Sequence, residues 1–97
     1  MALVVGILEL TLYLPENHSL KGKRAVLRSI KARVQSRFNV SVAEIDHQDT
    51  WQTIVLGIAQ VGNDRAHVDR CLREVSEFVG SLGLAEPGRE SYEFTNY

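Results

Sequence analysis

From Leu3 to Leu14 apolar residues alternate along the chain. Leu8, Leu10, Leu12 and Leu14 fall on one face of an extended segment, and Val5, Ile7, Glu9, Thr11 and Tyr13 on the other, which is the period-two signature of a strand. Pro15 ends that pattern, and Glu16-Asn17-His18 reads as a loop. The period then lengthens. Leu20, Leu27, Ile30 and Val34 recur at helical spacing, flanked by Val26, while Lys21, Arg24, Arg28 and Lys31 form a neighbouring stripe that should face water. This predicts a helix from about Leu20 to Arg37, with Ser19 as its N-cap. Asn39 to about Asp46 predicts a short strand carrying Val40, Val42 and Ile45. Trp51 to Val61 predicts a stronger one, in which Ile54, Leu56 and Ile58 alternate with Val55, Gly57 and Ala59. Asn63-Asp64 caps a second helix with Val68, Cys71, Leu72, Val75, Phe78, Val79 and Leu82 on one face, and Gly83 stops it. Pro87-Gly88 reads as a turn, and Ser91 to Asn96 as a last short strand.

The order β-α-β-β-α-β, with right-handed crossovers sharing one sheet, predicts an α+β ferredoxin-like sandwich: an antiparallel four-stranded sheet with two helices on one face. The two most apolar strands, first and third, are central in that topology. The second and fourth are edges, and Ser41, Glu44, Asp46, Glu90 and Glu93 suit an edge that must resist pairing with other chains. On the sheet face away from the helices the central strands offer Val5, Ile7, Val55, Gly57 and Ala59, with Tyr13 alone at one end. That face lacks the aromatics with which RNA-recognition motifs of this topology stack bases. An aliphatic face suits protein contact, so a homodimer is expected through it or through the edge of the second strand. The competing expectation is that Tyr92 to Tyr97 folds over the face within one chain.

A chain of 97 residues makes one domain, 1–97, able to hold a core without disulfides or metal. The lone Cys71, on an apolar stripe, reads as an inert small hydrophobe. Ala2 to Leu14 is interrupted by Glu9 and Thr11 and lacks a basic leader, so it reads as a strand and neither a membrane span nor a signal peptide, and a cytoplasmic location is expected. Net charge changes the picture only when mapped. Formal charge is −1, yet residues 17–43 hold seven cations and no acid, while the remainder holds four cations and all twelve acids. One basic face for a polyanion, on an otherwise acidic molecule, follows from that division.

The basic block opens on Ser19-Leu20-Lys21-Gly22-Lys23-Arg24, a first helical turn of cations set against the positive end of the helix dipole. Free N–H groups, a close-approach glycine and cationic heads suit an anion. On this reading Ser19 and the N–H groups of Lys21 and Gly22 grip a phosphate, Lys21, Lys23 and Arg24 neutralise it, and Arg28 and Lys31 extend the track. The plainer alternative is a solvated helix face. Glu44-Ile45-Asp46-His47-Gln48-Asp49 offers carboxylates and an imidazole, but strand alternation puts Glu44 and Asp46 on one face and His47 on the other. The alternatives there are a weak metal or acid–base site formed by a turn after Asp46, and a plain turn with capping aspartates. His18 sits before the N-cap, where it can join an anion site. His67 has no nucleophile beside it. Trp51 reads as a cap on the core, with a stacking platform as the alternative.

Ser19 to Ile30 (SLKGKRAVLRSI), Phe38 to Gln52 (FNVSVAEIDHQDTWQ) and Leu56 to Ala59 (LGIA) resemble the YlxP family, small bacterial proteins classed as a domain of unknown function. The resemblance runs from Gly6 to about Phe78 and implies a ferredoxin-like fold with no established reaction and no assigned catalytic residues. The family's gene neighbourhood, beside translation-initiation and ribosome-binding factors, implies ribosome or RNA biology. The leading expectation is therefore a non-enzymatic RNA- or ribosome-associated factor, with no cofactor, no metal, no membrane and no DNA sequence recognition. A small-anion-binding or regulatory dimeric module is the alternative, and a metal-dependent enzyme using Glu44 to Asp49 is third.

Overall fold

In the computed structural model, which describes residues 2–97, six elements follow in order: β1 (Val4–Tyr13), α1 (Leu20–Arg37), β2 (Ser41–Asp46), β3 (Thr53–Gly62), α2 (Arg65–Ser81) and β4 (Glu86–Asn96). Both helices begin on an extended residue whose side chain satisfies an early N–H group. Ser19 Oγ accepts from the Gly22 N–H at 3.0 Å, and Asp64 Oδ1 from the Ala66 N–H at 3.2 Å. The second helix stops where Gly83 takes a left-handed backbone, φ 66°, which side-chain-bearing residues resist. No helix among the described residues is long and apolar enough to cross a membrane.

The strands form one antiparallel sheet in the order β2-β3-β1-β4. This is the ferredoxin-like arrangement, with β1 and β3 central. Leu8, Leu10 and Leu12 of the first strand, Leu14 just after it, and Ile54, Leu56 and Ile58 of the third are buried on one face, against Ile30 and Val34 of α1 and Val68, Leu72, Val75 and Val79 of α2. Helix α2 lies over β1, β3 and β4, and α1 packs against α2 and β2.

Both edge strands depart from regular pairing at the same end of the sheet. In β2, Glu44 pairs with Leu56 but Asp46 pairs with Val55, so Ile45 is the extra residue of a bulge. Ile45 and Asp46 therefore both fall on the helix-free face, and the Ile45 side chain lies over Gly57, 2.9 Å from where a β-carbon would stand. Val55, expected to be open to water, is consequently only 6% exposed. In β4, Leu10 pairs with Glu90 and Leu12 with Pro87. The expected turn at Pro87-Gly88 is thus a bulged part of the strand, which begins at Glu86 and not at Ser91. Proline is tolerated there because an edge strand has one row of unpaired N–H groups.

The rest of β4 runs beside β1 to its end, where the Tyr97 N–H reaches the Leu3 carbonyl at 2.9 Å. The C-terminal segment pairs with the sheet edge and does not fold over the open face. On the helix side, Arg65 lies 4.9 Å from the Phe94 ring centroid and Arg73 4.3 Å from that of Tyr92. Burial at this seam pushes the Tyr92 hydroxyl above its ordinary pKa.

Gly6 marks the tightest approach of α2 to the sheet. A β-carbon on it would stand 2.5 Å from Val68 Cγ1 and 2.8 Å from Leu72 Cδ1, both on fully buried residues. Gly6→Ala should therefore destabilise the fold by about 1–3 kcal/mol, the range for overpacking a filled core. Urea unfolding should show this as a lower midpoint with an unchanged slope.

Candidate functional site

Lys23 is not part of the basic surface. It is 1% exposed and the one buried charged side chain among the described residues. Its ammonium donates to the carbonyl oxygens of His47 at 2.6 Å and Thr50 at 2.8 Å, with Gln48 O at 3.4 Å. Glu44 Oε2 stands 2.9 Å away, and that contact is ionic only, since the oxygen receives no aligned hydrogen bond. Two close carbonyls thus take its N–H groups and a carboxylate counters its charge, which is what a buried ammonium requires. Helical spacing held the signal. Lys23 shares the stripe of Leu27, Ile30 and Val34, not that of Lys21 and Arg24.

Ser19 and Gly22 engage each other. The Ser19 hydroxyl takes the Gly22 N–H, and Asn17 Oδ1 occupies the space that a β-carbon at residue 22 would need. The glycine leaves room for the asparagine, and of the expected backbone grip on a phosphate the Ser19 hydroxyl and the Gly22 N–H are taken up by each other. Of the proposed anion ligands, Lys23 is buried, Ser19 and Gly22 are bonded to each other at the exposed cap, Lys21, Arg24 and Arg28 are exposed, and Lys31 is half-buried.

Those four remaining cations are uncommitted. The ion pairs among the described residues are Lys23–Glu44 and Arg73–Asp69, so none of the four has a carboxylate within 4 Å. Other α1 cations have protein partners. Arg33 Nε donates to Ser29 Oγ at 3.2 Å, and the Arg37 guanidinium lies 4.8 Å from the Phe78 ring centroid. Arg24, Arg28 and Lys31 border a shallow groove of about 410 Å³ together with Leu27 and Gln35.

The loop between β2 and β3 is bound to the start of α1 by side chains from both motifs. Asn17 Nδ2 donates to the carbonyls of Ser19 at 2.8 Å and Trp51 at 2.5 Å. Gln52 Nε2 donates to those of Pro15 at 3.1 Å and Asn17 at 3.0 Å, and the Leu14 N–H reaches Gln52 O at 2.9 Å. Trp51 does not cap the core. It is 51% exposed, on a loop whose backbone is held on both sides of it.

The acidic segment separates. Glu44 points to Lys23 beneath the sheet. Asp46 and His47 line an open-face cavity of about 430 Å³ with Glu9, Thr11, Arg89 and Ser91. Asp49 lies with His18 and Trp51 at the loop tip. The bulge at Ile45 is the physical reason that Glu44 and Asp46 part, against the expectation from strict alternation. His47 takes φ 55°, the one non-glycine left-handed residue among those described, and its N–H is held by Asp46 Oδ1 at 2.8 Å. Among the described residues no three His, Cys, Asp or Glu side chains gather to hold a metal. Cys71 is half-buried and accepts from Gln60 Nε2 at 3.1 Å.

Residues 5–87 match the family described as "Protein of unknown function (DUF503)". A relative from Bacillus subtilis (strain 168), named "Uncharacterized protein YlxP", is 44% identical over 79 residues, which cover 81% of this chain and 86% of its own. Among solved structures, the de novo designed protein Foldit4 superposes with a TM-score of 0.51 at 12% identity, over 98% of this chain and 96% of its own. LarC2, the C-terminal domain of a cyclometallase involved in the synthesis of the NPN cofactor of lactate racemase, in apo form, gives 0.50 at 12% identity, over 100% of this chain and 58% of its own. At such identity these two likenesses speak for the fold alone.

Removing the ammonium would leave a buried carboxylate and two carbonyls without a donor. Lys23→Ala should lower stability by ~3 kcal/mol, the low end for breaking a buried ion pair, because Glu44 keeps some contact with water. The double change Lys23→Met with Glu44→Leu should recover part of that loss in urea unfolding. Amide exchange at residues 47–52 should still be faster than in the unaltered protein, because the tie between loop and helix is gone.

Proposed function

The chain belongs to the DUF503 family of proteins of unknown function, and we propose that it is a non-enzymatic RNA-associated factor, ribosomal RNA included, that contacts phosphates through α1. The observation that carries this reading is the stripe of Lys21, Arg24, Arg28 and Lys31: four cations on one helix face with no carboxylate partner. Cations at the first turn act against the helix dipole. Lys21 is one such, and with Arg24, Arg28 and Lys31 along the same face it leaves a concentrated positive field, for which a row of phosphates supplies the missing countercharge. The family's implied setting among translation factors supports RNA as the polyanion. The interface is the helix surface itself. The cap takes the Gly22 N–H, so the side chains carry more of the contact than the backbone does.

The open sheet face favours a homodimer as a companion to this reading. Ile7 is 43%, Ile45 46% and Val61 66% exposed, and β4 leaves that face uncovered. Solvent-exposed aliphatic residues grouped on one face are stabilised by burial against a second copy. Ile7→Asp should then give a folded monomer in light scattering, where the unaltered chain is a dimer. Val55 is unsuited to the same test because it is buried. A wild-type monomer at micromolar concentration ends the dimer proposal.

RNA binding by this mechanism should weaken with salt at a log–log slope of about −0.7 per phosphate contacted on a single strand. Replacing Lys21, Arg24 and Arg28 together by Ala should flatten that slope by about 2 and weaken binding at low salt, while thermal unfolding stays unchanged because all three are exposed. Equal affinity and slope in the triple variant would refute the assignment. A phosphorylated metabolite that raises the melting temperature, with no salt-sensitive RNA binding, would point instead to a small-anion module.

A further inference from the structure

Trp51 is the only tryptophan in the chain, and it is spent neither on the core nor on a partner within the fold. The residue is 51% exposed and is absent from the buried cluster and from the residues packed against it. Burial of an indole is strongly favourable, so a large aromatic left in water points outward for contact with something else. Its backbone is unusually well held for a loop. The preceding carbonyl, Thr50 O, is bonded by the buried Lys23 ammonium at 2.8 Å, and its own carbonyl by Asn17 Nδ2 at 2.5 Å. The next residue accepts the Leu14 N–H and sends its amide to Pro15 and Asn17.

The position matters as much as the rigidity. Asn17 bonds both Trp51 O and Ser19 O, and Ser19 is the N-cap of α1. Trp51 therefore stands one side chain away from the turn that carries Lys21, at the end of the basic stripe. His18 shares its surface hollow of about 470 Å³ with Trp51 and Gln52. An exposed aromatic side chain on a well-held backbone, at the end of a track of unpaired cations, matches a strand with phosphates on one side and an unstacked base on the other.

We infer that the ligand of the basic helix is a single strand, with one base stacked on Trp51 while its phosphates run along Lys21, Arg24 and Arg28. This rests on the RNA reading above and narrows it. Duplex RNA keeps its bases paired and stacked, and so has no free face to offer the indole. The sheet face, whose central strands carry a single aromatic, Tyr13, at one end, takes no part in the stacking.

The sole tryptophan makes the test direct, because all indole emission comes from residue 51. Titration with a short oligoadenylate should quench that emission, and a duplex of equal charge should bind more weakly and leave the emission unchanged. Trp51→Ala should weaken single-strand binding, read by anisotropy of a labelled oligonucleotide, by about tenfold, while Trp51→Phe keeps most of the affinity. Circular dichroism melting of both variants checks that the loop substitution spares the fold. Salt-sensitive binding with unchanged emission, and equal affinity in Trp51→Ala, overturns the stacking inference and leaves the basic-helix reading standing. Absence of binding to both single and double strands overturns the two together.

Discussion

A lysine ammonium closed off from water controls how this molecule is put together at one end. Transferring such a charge from water costs several kcal/mol unless its donors are satisfied and its charge is countered. Lys23 meets both demands with the carbonyls of His47 and Thr50 and the carboxylate of Glu44. All three partners come from β2 and the loop after it, so α1 cannot seat its apolar stripe without also fixing that loop. Two apolar residues would fill the same space and could match the stability. They would not aim two specific carbonyls, and so would not hold His47 in a left-handed conformation or set Trp51 in place.

The charge map takes on meaning from the same packing. Much of the positive charge in this protein is locally engaged: Lys23 in the interior, Arg37 on Phe78, Arg65 on Phe94, and Arg73 on Tyr92 with Asp69. The stripe of Lys21, Arg24, Arg28 and Lys31 differs in having no such partner. Segregation along the sequence is a crude measure of this, because seven cations in one block count equally whether they are buried, stacked or free. The surface available to a polyanion is narrower than the block, and it is one helix face wide.

Bulges in β2 and β4, on opposite edges of the sheet, reshape its open face. One swings Ile45 and Asp46 to the same side and covers Val55; the other brings Arg89 toward Glu9 and Thr11. The far end of the face stays flat and aliphatic, with Ile7 and Val61 open. Both edges also gain from this irregularity, since a bulged and charged edge pairs poorly with a stray strand.

Local rules were enough for much of this architecture. The limits of α1, its Ser19 cap, the stop at Gly83, the strand order and the buried leucines of β1 are all legible in the sequence, because capping, periodicity and crossover handedness depend on near neighbours and on the choice of buried face. The fate of Lys23 was decided elsewhere. Its helical position was apolar and its chemistry polar, and only carbonyls from a loop more than twenty residues away settle that conflict in favour of burial. Trp51 became exposed for the complementary reason, since the loop that lends its carbonyls to Lys23 and Asn17 holds the indole away from the core. Periodicity tells which way a side chain points, and it is blind to the distant groups that make a buried charge or an exposed ring the state of lower free energy.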